Sequence, residues 1–92
     1  MTSKVVAVDP GEAAVKRDAL LVDRVRAAQL PPPSVRRRVR RSSRATLRDL
    51  ASVLNVSPMT VLRWEQGKAE PRLEHAIAYR RLLDALAEAV SR

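Results

Sequence analysis

Ninety-two residues, 46% of them hydrophobic, make one domain of ordinary size with a thin core. The absence of cysteine excludes a disulfide framework and a thiolate metal site, and the single histidine, His75, cannot build a metal centre by itself. The net charge of +8 comes without an apolar span of about 20 residues or the basic-then-apolar order of a signal peptide, so a cytoplasmic protein with no membrane partner is expected.

In chain order, residues 1–10 read as a flexible tail and residues 11–30 as an N-terminal helical segment. The helix itself spans 11–29. Ala14, Leu21, Val25 and Ala28 fall on one stripe, widened by Val15 and Val22. The triproline 31–33 then breaks the helix and forms an extended linker. Residues 34–92 make the remaining domain. Ser34 is the expected cap of a helix over 35–43, with Val35 and Val39 facing inward. On the same wheel Arg37, Arg41 and Arg44 lie on the opposite, solvated face, Arg36 and Arg40 flank one side, and Arg38 the other.

The charge is unevenly placed along this path. Residues 1–23 carry three Lys/Arg against four Asp/Glu, and residues 49–92 carry six of each, whereas residues 24–48 hold nine arginines and no acid. A block of like charge repels itself unless a polyanion neutralises it, and phosphate backbones are the commonest such partner. A solvated helix face is the plainer reading of a charge run alone. Its position, leading into the segment described next, favours nucleic acid. Arginine outnumbers lysine fifteen to three, in keeping with a GC-rich genome.

Thr46 caps a helix over Leu47 to Leu54, with Asp49 three residues on as in a capping box. Leu50, Ala51 and Leu54 face inward. Asn55 stands where the helix must end, and asparagine follows glycine in tolerance for the left-handed conformation of a tight turn. Val56 buries the turn, Ser57 caps a second helix, and Pro58 suits its first turn. Val61 and Trp64 point back at the first helix across the small Ala51. Two short helices, a three-residue turn and a shared core define a helix-turn-helix. No strand-like alternation appears, so the fold is expected to be all-α: a compact helical bundle with a helix-turn-helix plus an extra N-terminal helix.

The segment TLRDLASVLNVSPMTVLRWEQGKAEPR resembles the Cro/repressor-type (XRE) helix-turn-helix pattern. Thr46, Leu50, Ala51, Leu54, Val56, Ser57, Val61, Trp64, Glu65, Gly67, Lys68 and Pro71 match it, within a region from Val35 to Leu73. WEQGK is its most specific piece. The departures are Asn55 for the usual Gly of the turn, Arg44 where Gly is common, and Leu47 for a frequent Gln that meets phosphate. The resemblance implies a recognition helix with its N-terminus aimed into the major groove. Pro58, Met59, Thr60, Leu62 and Arg63 would then read bases. Arg63 is the best reader, because a guanidinium bonds guanine O6 and N7 together. Ser57, Gln66 and Lys68 would meet phosphate, as would Arg36, Arg40 and Arg48 on the preceding helices. The same pattern implies a structural bridge between Glu65 and Arg40.

A last helix is expected over 71–90, opened by Glu70 and Pro71. Leu73, Ile77, Leu83, Leu86 and Val90 form its apolar edge, broadened by Tyr79 and Leu82. Tyr79 should be half-buried with its hydroxyl at the surface, and His75 exposed. Leu86 and Val90 need a cover: the N-terminal helix through Leu21, Val22 and Val25, or a second subunit of a homodimer. The function expected is a sequence-specific regulator binding double-stranded DNA. The alternatives are an excisionase-like architectural factor and an antitoxin whose N-terminal helix binds a protein. No carboxylate pair, nucleophile–base set or phosphate loop appears, so no enzyme activity, cofactor or small-molecule ligand is expected.

Overall fold

Prolines and left-handed turns cut the described residues into five helices: α1 (Pro10–Ala28), α2 (Pro33–Ser42), α3 (Leu47–Leu54), α4 (Pro58–Gln66) and α5 (Leu73–Val90). These come from a computed structural model that describes residues 10–91, with side chains from Lys16 onward; of the tail expected over residues 1–10, residues 1–9 lie outside the described residues and Pro10 already opens α1. The described residues contain no strand, and the fold is all-α.

The joints between helices follow from single residues. Pro32 ends the extended stretch at φ −56°, ψ 153°, and Pro33 already belongs to the first turn of α2. A proline there loses nothing, because its missing N–H would have no helical partner. The helix therefore starts ahead of the expected cap Ser34, which lies inside it, and has no side-chain cap. Arg44 takes the left-handed conformation at φ 60° in the α2–α3 turn. Thr46 and Asp49 close a reciprocal box at the start of α3, with bonds of 3.0 and 2.8 Å. The Thr46 amide donates to the Asp49 carboxylate and holds its pKa below the ordinary value. Asn55 ends α3 in the left-handed region at φ 57°, ψ 47°, and Val56 N donates back to Ala51 O at 3.0 Å. The Ser57 hydroxyl accepts from Thr60 N at 3.1 Å to start α4.

The core sits where α3, α4 and α5 meet. Leu50, Ala51 and Leu54, Val61 and Trp64, and Tyr79 and Leu83 form one buried cluster. Each large side chain here contributes about 1.5–3 kcal/mol by leaving water. Trp64 stacks at a tilt on Tyr79, with ring centroids 5.2 Å apart. Val39 of α2 and Leu86 of α5 close the edge of this cluster, half-buried; Val35 is also only half-buried.

Four expectations for α5 are corrected. It begins at Leu73, not at residue 71, because the Glu70 carboxylate is taken by Arg36 and no side chain caps the helix. Its buried edge is Ala76, Tyr79 and Leu83, while Leu73, in the first turn, is exposed. Tyr79 is fully buried, and its hydroxyl has no partner among the described residues. His75 is half-buried, its ring 6.0 Å from that of Trp64.

Helix α1 packs on α5 of its own chain, but not by the expected stripe. Ala27 is buried, Arg81 pairs with Asp23, and Arg80 donates to the Arg26 and Gln29 carbonyls at 3.1 and 2.6 Å. Both carbonyls lie at the end of α1, where Arg26 O also accepts from Gln29 N at 3.0 Å, so Arg80 adds a cap to α1 from outside. Leu20, Leu21, Val22 and Val25 are left exposed. Leu86 packs into the core, and Val90 lies beside Arg38 and Val39 of α2.

Candidate nucleic-acid interface

Helix α4 divides its residues between core and solvent. Val61, Trp64 and Glu65 are buried, whereas Pro58, Met59 and Arg63 are exposed, with Thr60 and Leu62 half-exposed at the margins. Its N-terminus is fixed by Ser57, whose hydroxyl also lies 2.9 Å from that of Thr60. Its exit is fixed by Gly67 at φ +72°, where a side chain would place its first carbon 3.4 Å from Cγ of Pro33. Glycine is favoured there by the left-handed conformation, while a first side-chain carbon would make only ordinary contact with the Pro33 ring. Lys68 N donates to Arg63 O at 3.0 Å in the same turn. Gln66 and Lys68 are exposed beside it, as is Arg48 on α3.

Beneath this surface Arg40 and Glu65 join α2 to α4. Arg40 Nε and Nη2 donate to the two carboxylate oxygens at 2.6 and 3.0 Å, and Nη1 donates to Ala45 O at 3.0 Å. The pair is bidentate, the geometry in which guanidinium and carboxylate bind best. Glu65 raises the Arg40 pKa above its ordinary value. All three nitrogens are engaged, so Arg40 serves as a brace between helices more than as a free phosphate ligand.

Arg36 does not stand where the wheel placed it, and its assignment to phosphate is corrected. Its side chain is only 4% exposed. Nε donates to Pro31 O at 2.7 Å, Nη1 to Trp64 O at 3.2 Å, and the guanidinium pairs with Glu70 at 2.9 Å. It ties the proline segment, the end of α4 and the following loop together, and its buried guanidinium does not face a nucleic acid.

The structure instead brings two other arginines to the interface. Arg37 and Arg41, both exposed, line a cleft with Leu47 at the start of α3 and Leu62 and Gln66 of α4, floored by the Arg40–Glu65 pair. The wheel for α2 alone places these arginines in solvent. It carries no signal that the start of α3 lies across from them.

A buried brace, two capped helices at a left-handed turn and a solvent-facing second helix define a DNA-binding helix-turn-helix domain. A family model described as helix-turn-helix matches residues 37–88. That is more than half of the chain, which belongs to this family, of the XRE type. It is thus a DNA-binding regulator of that type, and double-stranded DNA is its partner. No curated protein and no solved structure gives a match to the chain. No helix among the described residues is long and apolar enough to cross a membrane.

Proposed function

We propose that the chain is a sequence-specific transcriptional regulator, of repressor or Cro kind, that reads the major groove with α4. The division of α4 carries this reading: its inner residues lock it to the core, and Pro58, Met59 and Arg63 are presented on a helix held at both ends. Rigid presentation matters because base readout depends on side chains held in register with the duplex. Arg63 bonds a guanine, Met59 packs on a thymine methyl, and Thr60 and Leu62 touch the flanks of the site. Ser57, Arg48, Gln66 and Lys68 hold the phosphates that set register.

Selection of bound sites from random duplex DNA tests this, with one recurrent motif expected. On the selected site Arg63→Ala costs roughly 1–3 kcal/mol and much less on random duplex, because a base contact is lost. Lys68→Ala weakens both about equally. No enriched motif would turn the reading toward an architectural factor, and equal behaviour of the two variants would overturn the roles.

A second reading adds a protein partner at α1. It is favoured by the exposed Leu20, Leu21, Val22 and Val25 on a helix that is already docked by its other edge. A second copy of the chain is the simplest occupant, and a two-fold site in the selected DNA would accompany it.

A further inference from the structure

We propose that Arg37 and Arg41 clamp one phosphate of the duplex in the cleft between α2, the first turn of α3 and the last turn of α4. The inference rests on the DNA-reading function above and assigns it two residues that the helical wheel leaves in solvent.

The two side chains stand four residues apart on one face of α2, and both line the cleft. Neither has an acidic partner among the described residues. Among the described residues the one acid lining the cleft is Glu65, whose side chain is 1% exposed and already bound bidentately by Arg40. The remaining charge of the cleft is therefore that of Arg37 and Arg41. Like charges at this spacing on a helix repel, and an anion between them removes the repulsion.

Leu47 forms the opposite wall. It opens α3, so the positive end of that helix borders the cleft. The Thr46–Asp49 box occupies the Thr46 and Asp49 amides and leaves those of Leu47 and Arg48 without helical partners. The Leu47 side chain, however, has no hydrogen-bonding group. An anion at this helix start must find its side-chain donors across the cleft, where two guanidiniums and the Gln66 amide are placed. Guanidinium forks match phosphate oxygens in pairs, which a lysine ammonium does not. Gln66 also continues the recognition helix, so a phosphate held here fixes the depth and register of α4 in the groove.

The test is the salt dependence of duplex binding, with Arg38 as the control. Arg38 carries the same charge on the same helix but also borders Ala87, Val90 and Ser91 beside α5. For the intact chain log K falls steeply with log salt. Arg37→Gln with Arg41→Gln together reduce that slope by about 0.9, the share of the one phosphate they neutralise, and each alone by a fraction of it. Arg38→Gln changes it by less than half as much, and Arg37→Lys with Arg41→Lys keeps the slope while weakening binding. Circular dichroism melting of each variant matches the parent, because the side chains are exposed. A slope unchanged in R37Q and R41Q, or lowered equally in R38Q, overturns the clamp and leaves only a diffuse field. A parent slope near zero is a different result: it overturns the DNA reading itself, and the clamp with it.

Discussion

Replacing Arg36 by methionine removes its donors while keeping the apolar stem, and so isolates what the guanidinium holds. Three acceptors lose their partner. Trp64 O is buried between helices, and stranding such a group costs about 1–3 kcal/mol. Pro31 O is half-buried and its bond, at 2.7 Å, contributes about 0.5–1.5 kcal/mol. Glu70 is 61% exposed and rehydrates, so its loss is about 1 kcal/mol or less. The sum is roughly 1.5–5.5 kcal/mol, a large part of the stability of a small domain. At about 4–8 °C per kcal/mol for a domain near this size, the melting temperature falls by at least about 6 °C. Far-ultraviolet circular dichroism against temperature reads the loss. Glu70→Ala, measured beside it, loses far less, because the two carbonyls remain bonded. Binding of Arg36→Met to duplex DNA, below its melting point, keeps the parental salt slope. A variant that melts like the parent but flattens that slope by about 0.9 would refute the burial argument and restore Arg36 as a phosphate ligand.

Arg44→Gly raises stability by about 0.5–1 kcal/mol in urea unfolding, since the left-handed conformation costs a side-chain-bearing residue roughly 1–2 kcal/mol and glycine returns part of the gain as chain entropy. Arg44→Ala, which keeps the strain, does not. Burial pushes the Tyr79 hydroxyl up to about 12, with Glu65 adding to the rise. A pKa raised in the folded state gives stability that is complete below pH 10, the unfolded value, and lost as pH climbs toward 12. Tyr79→Phe abolishes that alkaline loss and adds about 1 kcal/mol at neutral pH, because an unpartnered buried hydroxyl is removed. Leu21→Asp with Val25→Asp leaves the melting temperature in place and lowers the mass in solution to that of one chain; an unchanged mass would count against self-association through α1.

The parts of the fold that were readable in advance are those settled within a few residues. The Thr46–Asp49 box, Asn55 in the left-handed region and the Ser57 cap are local bonds, and their residue types announce them. The inward faces of α3 and α4 follow from short periodic stretches with no competing face. Arg36 was misread because its fate depends on Glu70, 34 residues away, and on a carbonyl of α4. A wheel cannot distinguish a flank that meets solvent from one that meets another helix end. Helix α1 was misread for a related reason. Its most apolar stripe was expected to dock, but the docked edge is chosen by a small residue, Ala27, and by two arginines of α5 that reach Asp23 and the end carbonyls. Tyr79 looked amphipathic in isolation, yet it sits under Trp64 where no path to water remains. At the interface, the solvent-facing residues of α4 followed from its own periodicity. The cleft of Arg37 and Arg41 depends on how α3 is set against α2, which no single helix encodes.

The three prolines are more than a spacer. Pro31 offers its carbonyl to Arg36, and the ring of Pro33 lies alongside Gly67, within contact distance of where a first side-chain carbon would stand. Both attachments land at the exit of α4, so the segment works as a gauge whose length is set by two fixed points. Adding or deleting a residue between Leu30 and Arg36 would slide one contact off its seat while the other held. Anyone joining this domain to another protein at its front should splice upstream of residue 30, since a cut at the apparent boundary of residue 34 would take away a strut on which the reading helix leans.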